Sequence, residues 1–101
     1  PPVAAWASIQ NDPAKRAEAE AAMAPFLAAN RAEAGCIDYR FSTDVLDSTI
    51  VNGLEIWESQ EAIDAHMGSA HMAEFMTAIG PCLGGEATFT AHEISSSTKI
   101  I

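Results

Sequence analysis

At 101 residues the chain is long enough for one domain with a modest core, and a hydrophobic share of 49% places it among globular rather than disordered sequences. Fourteen acidic against five basic side chains leave a formal net charge of −9. Such a field repels phosphate backbones and anionic lipid headgroups, which argues against nucleic-acid and membrane-surface roles.

The first element is a strand. Val3, Ala5, Ala7 and Ile9 alternate with Ala4, Trp6, Ser8 and Gln10, giving two faces of different character. Trp6 on the less apolar side implies that this face is covered too. Asn11-Asp12-Pro13 then starts a helix, with Asp12 as N-cap and Pro13 in the first helical position. An alanine-rich stretch carries it to about Glu33, and Gly35 is placed to end it. Pro25 removes the hydrogen bond to the Ala21 carbonyl, which predicts a kink or break. Met23, Phe26 and Leu27 supply the apolar stripe.

Cys36–Ser42 alternates again, residues 43–48 turn the chain, and Thr49–Glu58 returns as the second arm of a hairpin. On that arm Leu54 and Ile56 share one face, and Gly53, Glu55 and Trp57 the other. Ser59 caps a short helix ending at Gly68. Ser69 caps the next, in which Met72, Phe75, Met76 and Ile79 recur at helical spacing before Gly80-Pro81 stops it. Gly84-Gly85 reads as a turn into a last strand from Glu86 to about Ile94. The order β-α-β-β-α-β is that of a ferredoxin-like α+β fold, a four-stranded antiparallel sheet with helices on one face. Ile100-Ile101 beyond it is an odd exposed end unless it docks, for instance on a second subunit.

Cys36 and Cys82 lie outside any ligand-type spacing and have no cationic neighbour in sequence, so two reduced thiols are expected. No apolar run approaches the roughly 20 residues of a membrane span, and Pro1-Pro2 opens no signal-like pattern. A cytoplasmic protein is the expectation.

Chemistry concentrates between Leu54 and Phe75. A strand-to-helix turn brings Trp57 close to His66 and His71, an apolar ring and two imidazoles that an enclosed pocket could use for proton transfer. His66 lies in a last helical turn, where the dipole favours imidazolium; a capping or surface role is the plainer alternative. Trp57 is either a core ring or a flat wall for an aromatic substrate. Gly53 leaves room beside it, and Glu55 is costly in a dry core, which favours the wall. His71 reads first as a hydrogen bond across the helix junction, and His92 is a weaker candidate still. The i, i+5 spacing of His66 and His71 across a helix break does not put them on one helical face, and no carboxylate stands at a convincing offset. No metal is therefore expected.

The ordered set Gly35-Cys36-Ile37-x-Tyr39, then Glu55-x-Trp57-Glu58-Ser59-x-x-Ala62-x-x-x-His66-x-x-Ser69-x-His71-x-x-x-Phe75, resembles the antibiotic biosynthesis monooxygenase family of dimeric α+β barrel proteins. The resemblance implies a homodimer closed sheet to sheet, with a pocket between each sheet and its helices. It implies a cofactor-independent monooxygenase acting with O₂ on a quinol or polyphenol-type aromatic substrate. His66 and Trp57 are then the candidate catalytic residues, and Glu55, Tyr39 and His71 the candidate substrate-binding ones. Quinone-forming members use a tryptophan at the place of Trp57, and in haem-degrading members the position of His66 carries an aromatic that lines the pocket. The departures are specific. Quinone-forming members carry an asparagine and a tyrosine where this chain has Gly53 and Ile63, and haem-degrading members have their iron-binding histidine where it has Met76. A non-catalytic ligand-binding or stress-associated module, or an isomerase of a small carbonyl compound, is the alternative.

Overall fold

The alternating stretches become strands and the capped, alanine-rich ones helices. A computed structural model describes residues 1–101. In chain order it has β1 (Val3–Asn11), a 3-10 turn (Pro13–Lys15), α1 (Arg16–Arg31), β2 (Cys36–Thr43) and β3 (Ile50–Trp57). There follow α2 (Gln60–Met67), α3 (Ala70–Ile79), a second 3-10 turn (Gly80–Cys82) and β4 (Leu83–Glu93). The fold is α+β and ferredoxin-like, with one four-stranded antiparallel sheet in the order β2-β3-β1-β4. No helix is long and apolar enough to cross a membrane.

Register decides which side chains meet. Ala5 pairs with Glu55, and Glu55 with Tyr39; Ala7 pairs with Gly53 and Phe89, and Gly53 with Phe41. Paired residues project to the same side, so Tyr39, Phe41, Glu55, Trp57 and Phe89 share the helix-covered face. The core forms there, with Met23 and Phe26 of α1, Ile63 of α2, and Phe75 and Ile79 of α3 packed over Val3, Ala5, Tyr39 and Trp57.

The opposite face carries Trp6, 55% exposed, beside Leu54 and Thr90. Within the single chain it is uncovered, and β4 is exposed along its whole length.

Three local expectations change. Asp12 does cap, accepting from the Ala14 N–H at 2.9 Å, but what it caps is the 3-10 turn ahead of α1. Pro25 does not break α1. It lies on an exposed side of the helix, where water can serve the carbonyl that loses its bond. Gly84 and Gly85 lie inside β4 rather than in a turn, next to the register shift between Ile9 and Asn11. A Cβ on Gly84 would meet the Asp12 backbone at 2.7 Å.

Gly35 has a different role from the one its position suggests. Its φ is not positive, and α1 ends on Ala32 in the right-handed region. What position 35 lacks is space, because a Cβ there would overlap that of Ala62 on α2. Gly35 therefore lets the segment after α1 lie against α2. Gly35→Ala is expected to cost about 1–3 kcal/mol, as overpacking does. Thermal denaturation checks this, and an unchanged midpoint contradicts it.

Candidate functional site

Ser59 ends β3 and caps α2, its hydroxyl accepting from the Ala62 N–H at 3.1 Å. One helical segment later Gly68 ends α2, and Ser69 both donates to the His66 carbonyl at 2.7 Å and caps α3 by accepting from the Met72 N–H. This junction turns the chain between His66 and His71, so the two imidazoles face each other across a corner, with ring centroids 5.9 Å apart. They share no helical face, as their spacing across the break implies, yet the corner between the two helices brings them together.

Between them sits Glu33, from the segment after α1. His66 Nδ1 lies 2.7 Å from Glu33 Oε2, and His71 Nε2 lies 3.1 Å from the same oxygen. A carboxylate oxygen can only accept, so each ring nitrogen is the N–H donor. His66 is 1% exposed, while Glu33 and His71 keep partial access to solvent.

The other side of His66 faces a cavity of about 220 Å³ between sheet and helices. Tyr39, Glu55 and His66 bring its titratable groups; Phe26, Phe41 and Phe75 are its rings; Met67, Met72 and Met76 supply flexible walls. Phe26 and Phe75 stack at 3.9 Å with 6° between planes, and Tyr39 meets His66 edge-on at 5.7 Å. Because Nδ1 is committed to Glu33, Nε2 is left without a protein partner on a ring that borders the cavity.

Trp57 is fully buried and does not border this cavity. It stacks on His66 at 4.7 Å with 28° between planes, and its Nε1 donates to Glu55 Oε1 at 2.8 Å. Its position is that of a support, holding His66 flat and anchoring Glu55, rather than an exposed wall. Glu55 and Tyr39 do border the cavity, side by side on the sheet; His71 does not, and opens instead on a groove between α1 and α3 with Pro25 and Glu74. His92 lies on the opposite face of the sheet from this cluster, paired with Ala4. Glu33 is the residue that sequence reading missed, since it shares no periodicity with partners 33 and 38 positions away.

Burial pushes the Glu55 carboxyl above its ordinary 4.5, against the lowering effect of the Trp57 and Tyr39 hydrogen bonds and of the nearby His66. Burial, with the Glu55 charge next, drives the Tyr39 phenol far above its usual range, so Tyr39 stays a neutral phenol. Cys36 is raised as well, first by burial and then by Glu33, which makes it a poor nucleophile. Both cysteines are free thiols.

The sequence pattern of the antibiotic biosynthesis monooxygenase family matches residues 2–78. The structure of Rv0793 from Mycobacterium tuberculosis is similar, with a TM-score of 0.89 and 25% identity, covering 98% of this chain and 100% of that one. A conserved protein from Methanosarcina mazei Go1 is similar with a TM-score of 0.86 and 25% identity, over 90% of each chain. The uncharacterized protein sll1783 of Synechocystis sp. is 26% identical over 99 residues, 98% of this chain and 67% of its own length.

The raised Glu55 carboxyl has a consequence for stability. A folded-state value above the unfolded one favours the protonated form, so its contribution is fully present below about pH 4.5 and is lost as pH rises through the folded value. Denaturant unfolding of the parent and of Glu55→Gln is therefore expected to diverge with pH, the parent losing stability relative to the variant as pH rises above about 4.5. The opposite trend contradicts the assignment.

Proposed function

The chain belongs to the antibiotic biosynthesis monooxygenase family, and from that premise we propose that it is a cofactor-independent monooxygenase acting on a quinol or polyphenol-type ring. The observation that carries the proposal is His66, whose Nδ1 is held by Glu33 and whose Nε2 is left free on a ring bordering an apolar cavity. An Nδ1–H donated to a carboxylate fixes the tautomer with a lone pair on Nε2, the form a general base needs.

His66 takes the proton of a ring hydroxyl, and the electron-rich anion reduces O₂ directly. One oxygen atom enters the ring at a C–H carbon and the other leaves as water, with the ring itself as reductant. The aromatic walls hold a flat substrate, and Glu55, held by the Tyr39 phenol and the Trp57 indole N–H, anchors the sheet side. The mostly apolar lining lowers the water content around the anion. At about 220 Å³ the cavity lies below the roughly 300–1,000 Å³ of drug-sized ligand pockets, which favours a compound of one or two rings.

Gly53 and Ile63 favour a second reading, because the family's asparagine and tyrosine positions are empty of polar groups here. In that reading the cavity holds an aromatic ligand without turnover. Oxygen consumption across a quinol panel, measured after metal chelation, separates the two: uptake supports the oxygenase, and binding without uptake supports the module. His66 is buried, so His66→Gln is a gentler test than alanine, which would also open a cavity. It is expected to lower turnover by about 10²- to 10⁴-fold with folding retained. A folded variant with full turnover contradicts the assignment.

The working unit in this proposal is a homodimer in the cytoplasm. Trp6 and Phe89 stand exposed on opposite faces of the sheet near an edge strand that nothing in the single chain covers, and two free thiols suit a reducing compartment. Light scattering is expected to report two chains per particle; a monomer at micromolar concentration contradicts the dimer.

A further inference from the structure

We propose that Glu33, His66 and His71 form a binding site for a divalent transition ion of the zinc type, on the solvent side of His66. His66 Nδ1, His71 Nε2 and a Glu33 carboxylate oxygen all lie within 4.8 Å of one another. They come from three segments, the loop after α1, the end of α2 and the start of α3, and the junction at Gly68-Ser69 fixes the corner between the last two. Tetrahedral zinc with nitrogen and oxygen ligands at about 2.0–2.1 Å needs donor atoms ~3.3 Å apart. The observed 2.7 and 3.1 Å separations to Glu33 Oε2 are shorter, as hydrogen bonds are, and the ligands must part by a few tenths of an ångström.

Two imidazoles and one carboxylate suit a borderline ion, and they are too few oxygens for Ca²⁺ or Mg²⁺. Three protein donors leave a fourth position, and the partial exposure of Glu33 and His71 gives it access to water. The net charge of −9 raises the local concentration of cations.

Coordination needs a lone pair on each ring nitrogen that now donates to Glu33. His66 must then carry its proton on Nε2, the nitrogen left for the cavity, where it donates instead of accepting. The ion and the base function of His66 exclude each other. That consequence rests on the oxygenase proposed above; the site itself does not.

The test is calorimetric titration of the chelator-treated full chain with ZnCl₂, with MgCl₂ as comparison. One equivalent of Zn²⁺ per chain and no saturable Mg²⁺ binding are expected. Loss of even an outer partner of a metal ligand costs roughly 10- to 100-fold in affinity, so His71→Ala and Glu33→Gln should each weaken Zn²⁺ binding by at least about tenfold. His92→Ala, on the far face of the sheet, should leave it unchanged. Both His71 and Glu33 are partly exposed, and circular dichroism confirms that the variants fold. Absence of saturable Zn²⁺ binding, or binding that survives both substitutions, overturns the site. Zn²⁺ binding without any oxygen uptake by the metal-free chain keeps the site and removes only the oxygenase.

Discussion

A single hydrogen bond ties the molecule's chemistry together, between Glu33 Oε2 and His66 Nδ1, 2.7 Å apart and 33 residues apart in sequence. A buried imidazole with no partner costs about 1–3 kcal/mol, and α2 alone offers His66 none. Glu33 reaches it because α1 ends at Arg31 and Gly35 lets the following segment lie against Ala62. From below, Trp57 stacks on the imidazole and holds Glu55, so the strand that carries the cavity's acid also fixes the ring above it. Helix end, loop and sheet are thus coupled through one side chain.

Much of the architecture was legible because it rests on local rules. Period-two alternation marks β1 to β3, Ser59 and Ser69 cap their helices, and the faces of β3 divide at Gly53, Glu55 and Trp57 as alternation requires. Where a residue's role is set by neighbours distant in sequence, local rules point elsewhere. Gly35 looks like a helix terminator and is a point of close contact with α2. Gly84-Gly85 looks like a turn and is the place where β4 passes close to the backbone at Asp12.

The site divides along the same line. His66 could be singled out from its helix end and Glu55 from its strand face, since a strand fixes direction, while Tyr39 was a candidate only through the family resemblance. Trp57 could not be placed, because alternation gives the face of the sheet but not whether a helix residue covers it; His66 does. Glu33 was invisible, being one of fourteen acidic residues with no spacing relation to either histidine. The i, i+5 spacing of His66 and His71 across the helix break offers no shared helical face, and it is the corner at Gly68-Ser69 that brings them to the same carboxylate.

The central claim is that Glu33 holds His66 with its proton on Nδ1 and Nε2 bare towards the cavity. Long-range ¹H–¹⁵N correlation on uniformly ¹⁵N-labelled, chelator-treated protein near neutral pH reads the tautomer directly. The account predicts a pyrrole-type Nδ1 and a pyridine-type Nε2 for His66, with the pattern lost in Glu33→Gln. A His66 with its proton on Nε2, or one whose tautomer is indifferent to Glu33, contradicts it.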